Sequence, residues 1–312
     1  MAIAKTLSRE ADLRPPEMRF RIGRPWPALL LVPALAAIAA VSVYPVILGL
    51  WLSLRDTTLA SRTDAFVGLE NYQQLCSDSQ FWNAWIHTME FTSASTVLET
   101  LIGLVIALIL AQRFLGRGLV RAAMLVPWAI PTVVTSKMFG WLFDGQNGVV
   151  NYLLRSVGLL HGNVNWYGSP DLALWTIVIA DVWKTTPFMA LLLLAGLQTI
   201  PYSLSEAALI DGASSWQRFW CVKLPLLAPT LLIAAMFRAL DAFRIFDLVY
   251  VITGGGPADS TEVLSTLTYK ILFSALLFGY GSALSTAMFI TEIFIALGFG
   301  IFILRKFKEA AQ

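Results

Sequence analysis

Long apolar stretches separated by short polar segments form the dominant pattern along this chain. Six of these stretches contain about 20 or more mostly apolar residues, the length that a helix needs to cross a bilayer. They cover residues 27–54, 85–111, 119–143, 172–199, 225–252 and 281–304. A lone strand in lipid would leave its backbone unpaired, so each stretch is predicted to be a helix. The predicted fold class is an all-α polytopic membrane protein with six transmembrane helices.

Prolines interrupt several of the predicted spans: Pro33, Pro45, Pro127, Pro131, Pro187 and Pro229. Neighbouring helices can satisfy the freed backbone groups, so we interpret these prolines as kinks within the spans. After the fifth span, the glycines and Pro257 of TGGGPADSTE are expected to stop a helix. Asp259 and Glu262 resemble a capping box, and the interrupted apolar stretch beyond them predicts a short helix in the outer membrane interface.

The distribution of Lys and Arg predicts the orientation of the bundle. Fourteen lie in the N-terminal tail, the loop after the second span, the 200–224 loop and the C-terminal end, whereas four lie in the opposite loops. Cytoplasmic loops carry the excess of positive residues, so both termini are predicted to be cytoplasmic. Residues 1–25 are then expected to form a cytoplasmic tail, 26–308 the transmembrane domain and 309–312 a C-terminal tail.

Composition agrees with a membrane protein. The chain is 57% hydrophobic and 13% charged, whereas about a quarter of a soluble domain is charged. Its net charge of +2 gives no indication of a nucleic-acid partner. The first apolar run is long and lacks a small-residue cleavage site, which favours a retained span. Cys76 and Cys221 are predicted on opposite sides of the membrane, so no disulfide between them is expected.

Ionisable residues within the predicted spans are candidates for function, because a charge in lipid is costly. The fourth and fifth spans carry most of them: Asp181, Lys184, Arg238, Asp241, Arg244 and Asp247. The spacing of three and the alternating sign predict a charged ladder on one face of the fifth span. These charges either pair and hold helices together or line a polar cavity. Glu99, Lys137 and Glu292 stand alone in sequence, and each could line the pathway, pair between subunits or lie near a span's end.

The sequence gives no support for enzyme chemistry. Its two histidines, His87 and His161, are predicted near or outside the membrane surface. It contains no His/Cys/Glu spacing typical of a metal site, and TGGGPADS lacks the lysine of a nucleotide-binding loop. No catalytic residue, metal or cofactor is therefore predicted in this chain.

The polar segment EAALIDGASSWQRFWCVKLP, residues 206–225, lies between the fourth and fifth spans. Residues 203–210 predict a short helix capped by Ser203 or Ser205, and Asp211-Gly212 predicts its end. Ser214 or Ser215 can cap a second helix that begins at Trp216. The apolar faces of these helices are too small to form a core alone, so we expect them to rest on the spans or on a partner.

This segment resembles the EAA loop of permease subunits in binding-protein-dependent ABC importers. The matching elements are Glu206-Ala207-Ala208, Asp211-Gly212-Ala213 and Leu224-Pro225. GLENYQQL (68–75), TGGGP (253–257) and GYGSALS (279–285) are similar to elements of the carbohydrate branch, the maltose and trehalose permeases. The resemblance implies a type I importer permease fold in the inner or plasma membrane. The residues implied to couple to the ATPase are Glu206, Ala207, Ala208, Asp211, Gly212 and Ala213.

The resemblance also implies partners. They are a second homologous permease, two ABC ATPase subunits that bind ATP and Mg, an extracytoplasmic sugar-binding protein, the sugar and the bilayer. In the family the sugar contacts lie on the fourth and fifth spans. Together with the charges of those spans, this implies a pathway lined by Asp181, Lys184, Thr185, Phe188, Arg238, Asp241, Ala242, Arg244 and Ile245. The enteric maltose subunit has asparagines and small residues at several of these positions, where this chain has charges.

The predicted function is the transmembrane subunit of an ATP-driven importer for a di- or oligosaccharide, trehalose or maltose-like. An anionic glycoside, sulfonated or phosphorylated, remains an alternative substrate, because the charges of the fourth and fifth spans balance in number. The charged spans are also compatible with an ion-coupled secondary transporter, and the polar segment with a scaffold subunit that does not transport.

Overall fold

The structure is a computed structural model that describes residues 26–58 and 63–310, with side chains described from 30 to 58 and from 64 to 305. The chain divides into two units, one up to Leu48 and one from Gly49 onward. In the first unit, α1 (Trp26–Ile38) continues through a π-helical turn (Ala39–Val43) into α2 (Tyr44–Leu52), whose end enters the second unit. This helix agrees with the first predicted span.

The second unit is a mostly helical bundle with one small hairpin. Its strands and helices are, in chain order, β1 (Arg55–Thr58), β2 (Thr63–Phe66), α3 (Glu70–Ser77), α4 (Ser79–Ala111), α5 (Arg117–Met124), α6 (Val126–Ala129), α7 (Thr132–Leu142), α8 (Val149–Ser156), α9 (Pro170–Thr199), α10 (Tyr202–Ile210), α11 (Ser215–Arg218), α12 (Leu224–Phe243), α13 (Asp247–Ile252), α14 (Leu264–Tyr269) and α15 (Phe278–Ala310).

The predicted spans are confirmed in number, but the third is broken and the fifth is interrupted after Phe243. In the described residues, five helical segments are long and apolar enough to cross a membrane, and a sixth is obtained if one bent helix pair counts as a single span. That pair joins Arg117–Ala129 to Thr132–Leu142 at 88°. The third span, predicted as a kinked helix over 119–143, is therefore broken. Pro131 lacks an N–H and forces Ile130 into an extended conformation, which ends the helix.

Two π-helical turns occur directly before prolines. The N–H of Tyr44 bonds to the Ala39 carbonyl ahead of Pro45, and the N–H of Leu224 bonds to the Phe219 carbonyl ahead of Pro225. A proline ring clashes with the carbonyl four residues earlier in an α-helix. The wider turn relieves that clash, so the chain stays helical through both prolines.

The hairpin and the loop after α13 lie at the same end of the bundle, which we call the outer end after the predicted orientation. β1 and β2 pair antiparallel, with Arg55 opposite Phe66, and Thr58 forms a bridge to Leu277. The buried amide of Asn71 donates to the carbonyls of Ser53 and Arg55 at 2.8 and 2.9 Å. The segment GLENYQQL, which contains Asn71, therefore attaches α3 to the end of the first span.

The short helix predicted after TGGGP is present as α14 and a π-helical turn (Lys270–Ser274). The predicted capping box of Asp259 and Glu262 is wrong. Asp259 has a φ of +58° and lies in the loop before the helix. The hydroxyl of Thr266 instead accepts the N–H of Val263 at 3.2 Å, at the first turn of α14.

Glycines lie at positions where long helices pack closely against each other. A Cβ at Gly103 of α4 would lie 2.9 Å from Met189 Cγ of α9, and a Cβ at Gly196 of α9 would lie 2.6 Å from Thr230 Cγ2 of α12. Small residues allow membrane helices to pack closely without a hydrophobic driving force. α9 is thus the central helix, in contact with α4 on one side and α12 on another.

Gly279, in the first turn of α15, provides a test of this packing. A Cβ there would lie 2.0 Å from the backbone carbonyl oxygen of Arg55, so Gly279→Ala must displace β1 from α15. We expect the substitution to lower the free energy of unfolding in detergent by about 1–3 kcal/mol. Gly298→Ala on the same helix is the matched control, since a Cβ there meets nothing within 4 Å. Equal thermal midpoints for the two variants would contradict this account.

Candidate functional site

A buried arginine on α12 forms the centre of the charged residues in the bundle. Arg238 is 5% exposed. Its guanidinium donates through Nε to Glu99 on α4, through Nη2 to Asp181 on α9 and through Nη1 to Asp241 on α12, the last at 2.8 Å. One side chain thus pairs with carboxylates from three helices. We call these four residues the Arg238 cluster.

The cluster brings together residues that are far apart in sequence. One of them, Glu99, was not among the residues implied to line the pathway. Glu99, which stood alone in sequence, is fully buried against Arg238. Its solitary position in an apolar span was itself the available signal, because a buried carboxylate must find a cation on another helix. Sequence patterns do not say which cation, since Arg238 lies 139 positions away.

Part of the charge on α12 faces outward. The side chain of Asp241 is 70% exposed, and that of Arg244 is 63% exposed and lies 3.2 Å from Glu292 of α15. Charged groups at this depth cannot face hydrocarbon. This surface of α12 must therefore face water or a second polypeptide when the chain is in a membrane.

The predicted ladder on one helix face is wrong beyond Asp241. α12 ends at Phe243, and Asp247 begins the separate helix α13. Arg244, at the end of α12, pairs with Glu292 rather than with Asp241 or Asp247. Because the helix breaks between Phe243 and Asp247, the spacing of three no longer places Asp247 on the same face.

Lys184 of α9 lies beside the broken third span. Its ammonium donates to the carbonyls of Ile130 at 2.8 Å and Trp128 at 3.3 Å. The break at Pro131 leaves carbonyls at the end of α6 without helical donors, and a lysine at a helix C-terminus satisfies such groups. The role of Lys184 in this structure follows from the break, which hydropathy alone did not predict.

The remaining predicted pathway residues lie in three different settings. Phe188 is 39% exposed and stacks on Trp128 with ring centroids 5.6 Å apart. The hydroxyl of Thr185 donates to the backbone of Asp181 at 2.7 Å. Ala242 is fully buried in a hydrophobic cluster, and Ile245 packs against that cluster. The structure therefore brings Asp181, Arg238 and Asp241 together but places Ala242 away from any surface of this chain.

The segment between the fourth and fifth spans forms two helices joined by a glycine turn. α10 ends in a Schellman motif, in which the N–H of Ala213 bonds to Ala208 O at 2.9 Å and that of Gly212 to Leu209 O at 3.1 Å. Gly212 has a φ of +82°, which favours glycine. This confirms the helix stop predicted at Asp211-Gly212.

Ser214 caps α11, as one of the two predicted candidates. Its hydroxyl accepts the N–H of Gln217 while the Gln217 side chain accepts the N–H of Ser214. The prediction that Ser203 or Ser205 caps the first helix is wrong. α10 begins at Tyr202, its N-cap residue is Pro201, and no side chain of the described residues forms a capping hydrogen bond there.

The residues implied to couple to an ATPase lie on the surface of this chain. Glu206, Ala207, Asp211 and Gly212 are exposed, and Ala208 and Ala213 are half-buried. Large apolar side chains beside them are also exposed, including Tyr202, Ile210 and Trp216 at 77%, 86% and 70%. An exposed apolar patch of this kind must be covered by lipid or by a partner in the membrane.

Removing the cation of the Arg238 cluster tests how much the cluster contributes to stability. Arg238→Leu leaves Glu99 and Asp181 buried without their partner, and breaking a buried pair costs about 3–5 kcal/mol. We expect a matching loss in the free energy of unfolding in detergent. Arg244→Leu is the control, since that side chain is mostly exposed. A triple variant, Arg238→Leu with Glu99→Gln and Asp181→Asn, should regain stability. An Arg238→Leu variant as stable as Arg244→Leu would contradict the prediction.

Comparison with known proteins gives consistent results. Residues 100–307 match the family described as binding-protein-dependent transport system inner membrane component. The trehalose/maltose transport system permease protein MalF of Thermococcus litoralis is 45% identical over 84% of this chain and 88% of that protein. The trehalose transport system permease protein SugA of Mycobacterium tuberculosis is 42% identical over 86% of this chain and 87% of that protein.

Two further proteins are similar to this chain. The sulfoquinovosyl glycerol transport system permease protein SmoG of Agrobacterium fabrum is 39% identical over 84% of both chains. A chain of a bacterial ABC transporter involved in alginate import superposes with a TM-score of 0.78 at 19% identity, covering 98% of this chain and 99% of that chain. This last similarity shows the fold alone. The chain belongs to the family of inner membrane components of binding-protein-dependent transport systems, the permease subunits of ABC importers.

Proposed function

We propose that this chain forms, with a second homologous permease, the pathway by which an ABC importer takes up a neutral di- or oligosaccharide of the trehalose or maltose type. Two ATPase subunits supply the energy, and an extracytoplasmic binding protein delivers the sugar. The two relatives with the highest identities given above carry the names of trehalose or trehalose/maltose systems. ATP and Mg are bound by the ATPase subunits, and both termini are cytoplasmic.

The observation that carries the choice of a neutral sugar is the charge balance of the Arg238 cluster. One guanidinium meets three carboxyl groups, so acidic groups outnumber cations in the cluster. The exposed carboxylate of Asp241 presents hydrogen-bond acceptors to the pathway, and the hydroxyls of a sugar are suitable donors. An anionic ligand would be repelled at this position.

The anionic substrate is favoured by one relative, named for sulfoquinovosyl glycerol. It would need a cation free to meet a sulfonate. In this structure Lys184 donates to backbone carbonyls, Arg238 is surrounded by carboxylates, and Arg244 pairs with Glu292. Lys184, Arg238 and Arg244 thus already have protein partners, which supports the neutral substrate. Lys137 of α7, which the sequence also left as a possible pathway residue, is exposed and forms no ion pair with a described residue. Membership of a binding-protein-dependent family argues against the ion-coupled transporter and the scaffold.

The transport step follows from two states of the bundle. ATP binding closes the ATPase subunits, which move α10 and α11 with them. The spans then change from an inward-open to an outward-open arrangement, and the docked binding protein releases its sugar into the cavity. ATP hydrolysis reverses the change. The sugar shifts this balance only as far as it binds one state better than the other.

Uptake by the reconstituted complex tests the substrate. Proteoliposomes that contain both permeases, the ATPase subunits and the binding protein should accumulate trehalose or maltose when ATP is present. Because the cluster repels anions, sulfoquinovosyl glycerol should neither accumulate nor compete. Asp241→Asn should reduce neutral-sugar uptake by about tenfold, the effect of weakening one charged hydrogen bond. Asp56→Asn, an exposed carboxylate of the outer hairpin, is the control. Uptake of the anionic glycoside alone would overturn the proposal.

Gly212→Pro tests the coupling role of the α10–α11 segment. Proline cannot adopt a φ of +82°, so the turn and the direction of α11 must change. The variant should insert and assemble in the membrane yet lose ATP-driven uptake. Gly116→Pro is a matched control, because Gly116 has the same φ of +82° and lies before α5, outside this segment. Glu206→Lys should act like Gly212→Pro. Normal uptake by a well-expressed Gly212→Pro variant would refute the coupling role.

A further inference from the structure

A cavity of about 390 Å³ lies at the outer end of the bundle, apart from the Arg238 cluster. It is open on one side and is bounded by the beginning of α4, the loop after α13 and the helix α14 with the turn that follows it. The lining residues are Ser79, Gln80, Asn83, Ala258, Asp259, Glu262, Leu267 and Lys270. Asn83 precedes Glu99 on α4 by 16 residues, which separates this cavity from the cluster by about 24 Å along the helix. Its volume falls in the range of small-ligand pockets, about 300–1,000 Å³.

The loop that forms one wall is held by specific contacts. Gly254 and Gly255 have φ values of +62° and +97°, which turn the chain back on itself. The buried hydroxyl of Thr261 donates to the Gly256 carbonyl at 2.7 Å and lies 2.7 Å from the hydroxyl of Thr253. A Cβ at Gly255 would lie 1.9 Å from Glu262 Oε2, so the backbone packs directly on this carboxylate. TGGGP thus positions Glu262 at the cavity.

Glu262 is the most informative residue of the lining. It is 4% exposed, and Lys270 donates to its Oε2. Its second oxygen, Oε1, is buried and has no hydrogen-bond partner among the described residues. A buried polar atom without a partner costs about 1–3 kcal/mol, more when it is charged. Because Oε1 is buried, a ligand in the cavity reaches it only if the Glu262 side chain turns toward the cavity, and a hydrogen bond donated to Oε1 would then recover that energy.

The other polar groups of the lining limit the kind of ligand. Ser79, Gln80 and Asn83 each carry groups that donate and accept, Lys270 donates, and Asp259 accepts. Asn83 also donates to the Asp259 carbonyl at 3.2 Å, which fixes one side of the cavity. Two carboxylates and one ammonium leave the lining with one net negative charge. This combination disfavours an anion and suits a neutral ligand whose hydroxyls both donate and accept.

We infer that this cavity is an outer subsite for one ring of the transported saccharide, with a sugar hydroxyl donating to Glu262 Oε1 and with Lys270 and Asn83 contacting other hydroxyls. The inference rests on the proposed function, since the same neutral sugar occupies the site on its way to the Arg238 cluster. It gives the TGGGP loop a role in binding substrate at the outer surface.

Protection of an introduced cysteine tests the site directly. The complete complex without binding protein is prepared with Cys76→Ser and Cys221→Ser, and Gln80→Cys is added at the cavity wall. Trehalose should slow modification of the Gln80→Cys variant by a maleimide in a saturable manner. Adding Glu262→Gln should raise the trehalose concentration needed by about tenfold, because a hydrogen bond to a charged acceptor is weakened. Glu70→Gln, an exposed carboxylate on α3, should leave it unchanged.

A second preparation that keeps native Cys76, exposed on the neighbouring helix α3, shows whether protection is local. Trehalose should not slow its modification. The inference is overturned if Gln80→Cys reacts equally fast with and without trehalose, or if Glu262→Gln leaves protection unchanged. Protection by sugar-free binding protein but not by sugar also overturns it and assigns the cavity to protein docking.

An uptake assay separates this inference from the proposed function. The complex that carries Gln80→Cys is placed in liposomes and supplied with binding protein and ATP. Trehalose or maltose uptake without cysteine protection refutes the outer subsite and leaves the proposed function intact. Absence of uptake for both sugars refutes the proposed function, and the subsite inference fails with it.

Discussion

The contact between Arg238 and the carboxylates of Glu99, Asp181 and Asp241 is the constraint on which the centre of this bundle depends. Its members come from α4, α9 and α12. A charge in a low-dielectric interior is stable only when oppositely charged groups and hydrogen bonds surround it. The three helices therefore cannot separate at this depth without exposing a charge to lipid or opening a path for water. Under the proposed function the second possibility is useful, because the proposed pathway must admit a hydrated sugar.

Close helix packing makes this contact possible. Gly103 brings α4 against α9, and Gly196 brings α9 against α12. Small residues at both crossings shorten the distances that side chains of Glu99, Asp181 and Arg238 must bridge. Packing and electrostatics thus support each other: the glycines permit the approach, and the buried pairs hold the helices in one register.

The sequence predicted the features that follow from hydropathy and local chemistry. The number of spans, the glycine stop at Gly212 and the cap at Ser214 depend on short segments and were confirmed. Two other local predictions, the cap at Ser203 or Ser205 and the capping box of Asp259 and Glu262, were wrong, because the helices begin at other residues. The break at Pro131, the end of α12 at Phe243 and the pairing of Glu99 depend on neighbours distant in sequence. A proline in a membrane helix can be accommodated, as at Pro187 within the continuous α9, or it can end the helix, as at Pro131. The surrounding helices decide whether a proline is accommodated or ends the helix, so the local sequence does not predict it.

The two polar regions of the bundle share a feature that hydropathy could not reveal, an excess of carboxylate over cation. At the Arg238 cluster, Asp241 extends outward beyond the buried pairs, and in the outer cavity Glu262 keeps one oxygen unpaired among the described residues. If the pathway served an anionic glycoside, the physically simpler arrangement would reverse this balance and leave guanidinium or ammonium groups available. Lys184 and Arg244 are instead engaged by carbonyls and by Glu292. Under the proposed function, a hydroxyl-rich neutral ligand would use the surplus acceptors at both depths, so one substrate class would account for both regions.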